Sequence, residues 1–298
     1  MPSLLRPPRL SLLLLLLLIV VWGTNWITLK LALEYVPPIW SVFFRTFPAC
    51  LIFWTVCSIS GRARIPVKAD VPIILSVGVL HMVVFSVIVS MGMQYLPAGR
   101  SIVVAYTTPL WVLPAAWLFL KERIALRQLL GLLSGLSGLI LLLSPWAVNW
   151  EDHDILLGYG LVLLGSFFWA ISIVYGRAHV WTTPLFELLP WQLLIASLSE
   201  LLIALAVEGL PDIAWSVDLI LYIGYSSLVG TALGYWLMST VNRDFPASFI
   251  SMALLGVPVV GLLCSNLALG EHFDLPLIIA TIMIISGIAL GTARQAKG

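Results

Sequence analysis

The sequence predicts an all-α membrane protein: ten transmembrane helices, laid out as two inverted five-helix repeats around a central cavity. Three observations predict it. The 298 residues are 61% hydrophobic and only 10% charged, with a mean hydropathy of +1.07. Apolar runs of about bilayer length recur along the whole chain. Residues of the first half return in the second half at fixed offsets.

Composition decides the solvent. A water-soluble domain carries about 25% charged residues. At 10% there is too little polar surface to face water, so most of this chain faces lipid. Crossing a bilayer takes roughly 20 apolar residues per helix, so ten helices need about 200. That leaves short loops and no soluble domain. Barrel strands are excluded because they alternate in polarity and are about half as long as these continuous runs. The net charge of +1 is too small to draw nucleic acid.

The spans run roughly 10–33, 37–59, 71–93, 97–119, 124–144, 156–176, 184–208, 216–240, 246–269 and 273–293. Turn chemistry or charge marks the breaks, as at Pro37-Pro38, Leu96-Pro97, Thr183-Pro184 and Gly270. The first run follows Arg6 and Arg9 as a leader would. It lacks a small-x-small cleavage site and continues past Trp26 to Leu29, so it reads as an uncleaved first span. With the N-terminus inside, twelve of the fifteen Lys and Arg fall on the cytoplasmic side. The expectation is a multi-pass protein of the inner membrane with both termini cytoplasmic. Cys50, Cys57 and Cys264 sit in apolar runs without metal-type spacing, so no metal or other cofactor is expected.

The halves match in register. Pro97, Pro109, Glu122 and Gly138 return 149 residues later as Pro246, Pro258, Glu271 and Gly287. Earlier in each half the offset is 147, pairing Trp22 with Trp169 and Pro37 with Pro184. Four pairs of identical type in one register mark an internal duplication. It divides the chain into 1–146 and 147–298. Five helices per copy make the second copy enter from the opposite side, so the repeats are inverted. That architecture is common in secondary transporters and puts the substrate site near the bilayer midplane.

These features resemble the EamA family of the drug/metabolite transporter superfamily. The resemblance rests on Trp22-Gly-Thr-Asn-Trp26 in the first span and on the aliphatic–Gly–Glu motif that ends the fourth and ninth helices of that family. Leu269-Gly270-Glu271 fits the motif; Leu120-Lys121-Glu122 departs from it by Lys for Gly. Within the family the chain is most similar to exporters of aromatic and neutral amino acids of the YddG type. The resemblance implies alternating-access export of small metabolites, amino acids including aromatic ones.

Deep polar and aromatic residues are the candidates for the site, because a mid-bilayer charge costs about 2.5–3.5 kcal/mol on the insertion scale. Arg45 lies about eight residues, or ~12 Å, into the second span. It either holds a substrate carboxylate or locks to a protein carboxylate or carbonyl. Its repeat partner is the neutral Gln192. Glu200 is at similar depth in the seventh span, placed either to pair with Arg45 or to carry a coupling proton. His81 near the midplane shares a face with Phe85. Trp22, Asn25, Trp26, Tyr106, Trp169 and Tyr235 are also deep, and together they make an aromatic cage with sparse polar groups. Each could equally be core packing. Pro109 and Pro258 are expected to kink the fourth and ninth spans, as hinges or as fixed bends. Glycines of the fifth and tenth spans allow close helix contact, within one subunit before a dimer interface. A monomer is expected, with a dimer as the alternative.

Three functions compete. A secondary transporter or facilitator fits the repeats, the paired prolines and the deep aromatics. Its substrate is a small molecule and its surroundings the lipid bilayer; another amphipathic solute (a drug, nucleoside or sugar), in either direction, is the alternative cargo. A membrane-embedded enzyme needs convergent acid, base or metal groups, but His81, His153, His179 and His272 are scattered and no HExxH or nucleophile elbow occurs. A receptor needs larger loops. The chain therefore reads as a transporter and not as an enzyme.

Overall fold

A computed structural model describes residues 8–121, 126–143, 152–213, 215–245, 253–272 and 274–292. The described chain is helical. Seven helices are long and apolar enough to cross a membrane. They are α1 (Pro8–Ala32), α2 (Pro38–Ile59), α3 (Lys68–Met93), a broken helix Ala98–Leu120, α7 (His153–Ala178), α8 (Leu185–Val207) and α9 (Val217–Val241). The broken helix divides into α4 (Ala98–Ala105) and α5 (Thr108–Leu120). Three shorter apolar helices complete the set: α6 (Leu126–Leu143), α10 (Gly256–Leu269) and α11 (Leu275–Thr292).

Leucine-rich faces such as Leu12, Leu13, Leu16 and Leu17 of α1 are exposed, while Leu15, Leu18 and Ile19 of the same helix are buried. A helix apolar all round belongs in lipid. Two large clusters and two smaller ones make the interior of the described residues. One of the large clusters joins Leu18, Val104, Val162, Leu237 and Val257; the second joins Ile39, Phe53, Met82, Leu193 and Leu219. Gly138 and Gly287 lie where α6 meets α11. An added Cβ would sit 2.8 Å from the Met283 side chain in the first case and 2.5 Å from the Gly131 carbonyl in the second. The small-residue faces therefore pack within the chain.

Helix ends are tied by carboxylates. The first N–H groups of a helix have no intrahelical acceptor. Glu208 follows α8 and takes the amides of Ile39 and Trp40 at 3.0 and 3.2 Å. Glu271 follows α10 and takes those of Ala98 and Gly99 at 2.6 and 2.9 Å. Asp70, in the first turn of α3 and fully buried, accepts from the Thr183 amide and the Thr182 hydroxyl and meets His179 at 2.9 Å. The motif Leu269-Gly270-Glu271 thus has two tasks. Gly270, at φ +65°, ends α10 in the left-handed region, and Glu271 caps another helix. Lys121 takes the same conformation at φ 55° despite its side chain. Glu122 and Pro246 lie outside the described residues.

Two of the long helices contain π-helical stretches: Ser76–Phe85 in α3 and Tyr225–Leu233 in α9. They begin 149 residues apart, so the change of offset from 147 falls before them. The prolines behave differently from the expected interior kinks. The break falls at Tyr106–Thr107, ahead of Pro109, and at Leu254–Leu255, ahead of Pro258. Each proline then sits in the first turn of the next helix, where its missing N–H costs nothing.

Candidate functional site

Nine of the ten expected substrate-binding residues line one cavity. Trp22, Asn25 and Trp26 come from α1, and Arg45 from α2. His81 and Phe85 come from the π stretch of α3, Tyr106 from the break after α4, Trp169 from α7 and Tyr235 from α9. The cavity spans about 800 Å³ counted to its open mouth. Leu29, Val89, Ser90 and Met93 extend it toward the ends at which α1 and α3 finish.

The rings form a connected chain. His81 lies flat on Trp169, centroids 5.1 Å apart at 6°. Phe85 meets Trp169 at 4.9 Å, and Tyr106 meets it edge-on at 5.8 Å. Tyr235 stands edge-on to both His81 and Trp22, at 6.4 Å each. Trp169 is the hub of this wall. Rings packed on rings leave flat apolar faces where a planar ligand gains stacking contact.

The two halves of the wall are built unequally. At an offset of 149, His81 and Phe85 correspond to Gly230 and Gly234. Trp169 therefore rests on an imidazole and a phenyl ring, while its counterpart Trp22 approaches bare backbone. A Cβ on Gly234 would lie 2.4 Å from Trp22 Nε1, and one on Gly230 would lie 2.1 Å from Asn25 Oδ1. Gly230 and Thr231 join the lining, as does Ser86. Individually they carry no signal in the sequence. The four-residue spacing of Gly230 and Gly234 does, as a place where helices approach closely.

Arg45 is half-buried, and its Nε is buried without a hydrogen-bond partner. It has no ion-pair partner among the described residues. The expected contact with Glu200 does not form. Glu200 is fully buried outside the lining, where one carboxylate oxygen accepts from Thr46 Oγ1 at 3.3 Å and the other has no partner. Gln192 also departs from expectation. It is fully buried away from the cavity, and its backbone carbonyl would lie 3.1 Å from a Cβ on Gly78 of α3. That face of α8 is taken up by helix packing. Trp40 is buried and donates its indole N–H to the Gly209 carbonyl at 3.0 Å. Trp181 and Trp215 are exposed at helix ends. Trp146 and Trp150 lie outside the described residues.

Hydroxyl groups satisfy the Val104 and Ala105 carbonyls at the break. Pro109 cannot bond the Ala105 carbonyl, and Thr108 Oγ1 and Ser166 Oγ donate to it instead, at 2.8 and 3.1 Å. The neighbouring Val104 carbonyl accepts from Thr107 Oγ1 at 2.7 Å. In the π stretch of α9, Thr231 Oγ1 donates to the Ser226 carbonyl at 2.8 Å.

The EamA-like transporter family model matches the chain twice, over residues 9–144 and 156–292. The uncharacterized transporter YoaV of Bacillus subtilis (strain 168) is 24% identical over 272 residues, covering 91% of this chain and 93% of that protein. Probable amino-acid metabolite efflux pumps of Salmonella typhimurium and Escherichia coli K12 are 26% and 25% identical over 285 residues, covering 92% of this chain and 91% of each pump. One crystal structure, 18% identical, matches with a TM-score of 0.67 over 95% of this chain and 96% of its own. That likeness is one of fold.

Proposed function

From the premise that this chain belongs to the EamA-like transporter family, we propose that it exports small organic metabolites, amino acids including aromatic ones, by alternating access. The observation that carries this reading is the aromatic cavity lined by a cation, Arg45, that has no ion-pair partner among the described residues. Trp169, His81 and Tyr235 offer ring faces, and Arg45 offers a guanidinium to a carboxylate. Relatives named as probable amino-acid metabolite efflux pumps support the choice of cargo.

Ten spans in two inverted repeats, 1–146 and 147–298, are part of this proposal. Two successive family matches support it, as do the paired π stretches and the paired left-handed helix ends at Lys121 and Gly270. With both termini in the cytoplasm of an inner-membrane protein, the cavity mouth near Leu29 and Met93 faces outward. Rocking of the halves then carries the site between faces, with the breaks ahead of Pro109 and Pro258 as the places where helices bend.

The test is counterflow of labelled amino acids in liposomes holding the purified protein. Accumulation of aromatic amino acids in excess of protein-free liposomes supports the reading. Absence of flux across a broad panel of amino acids and related solutes overturns it.

A further inference from the structure

An amino acid brings two charges to its site, and this cavity provides for one of them. Arg45 supplies the positive partner for a carboxylate. For an ammonium the natural partner is a carboxylate, and no Asp or Glu is among the described residues of the lining. Glu200, the buried acid at comparable depth, stays out of the lining and spends one oxygen on Thr46.

Backbone carbonyls are the usual substitute at broken helices. Several beside the cavity are already in use, while the Tyr106 carbonyl accepts from none of the described residues. The Val104 and Ala105 carbonyls beside Tyr106 accept from the hydroxyls of Thr107, Thr108 and Ser166. The Ser226 carbonyl accepts from Thr231. The Pro38 carbonyl near the mouth accepts from Ser90 at 3.1 Å. An ammonium entering this space loses its water and gains only neutral partners, the oxygens of Asn25, Ser86, Ser90, Thr231 and the two tyrosines and the ring faces, while Arg45 repels it. Burying a charge without a paired acceptor is strongly unfavourable.

We propose that the site selects aromatic monocarboxylates that lack an ammonium over the amino acids bearing the same ring. Their carboxylate pairs with Arg45, and their ring lies along the wall built by Trp169, His81 and Tyr235. The inference rests on the export reading of small organic metabolites and, within that class, ranks aryl-alkanoic and indole-type acids above the aromatic amino acids.

Three solutes of one ring separate the possibilities: 3-phenylpropionate, phenylalanine and phenethylamine. Binding to the purified full chain is measured by calorimetry, and flux by counterflow in liposomes. The expected result is that 3-phenylpropionate binds at least about tenfold more tightly than phenylalanine, with phenethylamine weakest. The Arg45→Gln variant should bring 3-phenylpropionate down to the level of its uncharged amide. Phenylalanine binding as tightly as the acid, or more tightly, overturns this inference and leaves the export reading standing. Binding of the acid in the expected order with no counterflow of any solute overturns the export reading and leaves the preference of the site intact.

Discussion

The imidazole of His81 lies parallel to the indole of Trp169, 5.1 Å from centroid to centroid. Trp169 also touches Phe85 and Tyr106, so four rings of three different spans share one contact point. Aromatic pairs are each worth about 0.5–1.5 kcal/mol beyond area burial. Trp169→Ala should therefore lower substrate affinity by at least about tenfold and leave membrane insertion intact. Flux in liposomes and the amount of protein recovered from membranes check the two halves of this statement. Wild-type flux would remove the ring chain from the binding site.

Gly230 makes the opposite kind of contact, one that depends on having no side chain. A methyl group there would lie 2.1 Å from Asn25 Oδ1 and push Asn25 toward the cavity. Gly230→Ala should cut flux by about tenfold or more, since overpacking costs typically 1–3 kcal/mol. Gly224→Ala in the same helix meets nothing within 4 Å and serves as the control, with flux close to wild type.

Arg45→Gln tests the anion site within the export reading. The neutral side chain keeps hydrogen-bonding capacity and loses the charge. Transport of carboxylate-bearing solutes should fall much further than that of their ring-matched amides. Equal losses for both would assign Arg45 to folding alone.

Glu271 holds two amide groups at the start of α4. Removing such a cap costs about 1 kcal/mol. Glu271→Ala should lower the thermal unfolding midpoint in detergent. Glu271→Gln, which retains an acceptor, should lower it less.

Lys121 at φ 55° occupies a conformation that costs a non-glycine residue about 1–2 kcal/mol. Lys121→Gly should raise thermal stability by about 1 kcal/mol, and Gly270→Ala should lower it by a similar amount. No gain from Lys121→Gly would mean that the lysine side chain makes a compensating contact.

What could be read in advance follows from what each signal encodes. Trp22, Trp169 and Tyr235 stood out because large rings in mid-span are costly to leave without purpose, and all three line the cavity. Gln192 stood out only as the repeat partner of Arg45. Matched positions in a duplicated sequence do not guarantee matched surroundings. His81 and Phe85 fill one side while Gly230 and Gly234 leave the other side bare, and the lining draws on α1, α2, α3, α7 and α9 but not on Gln192 of α8. Arg45 and Glu200 make no direct ion pair, although the two charges act on each other across the packing; depth along a span was readable, the separation between them was not. Glu271 was visible as part of a motif, but its target, the amides of Ala98 and Gly99, lies 172 residues or more away in the chain. No local pattern names such a partner. The π stretches were invisible because they differ from α-helix only in how far each amide reaches.

Those stretches decide which neighbours one helix serves. One extra residue in a helix turns everything beyond it by about 100° around the axis. Before its π stretch, α3 presents Ile73 and Ile74 to Leu188 of α8. After it, Val89 and Gly92 face Gly165 and Gly158 of α7. A straight α-helix of this length would keep a single stripe toward one partner. The added residue makes α3 a shared wall between two helix packets, and the corner where the wall turns is where His81 and Phe85 stand.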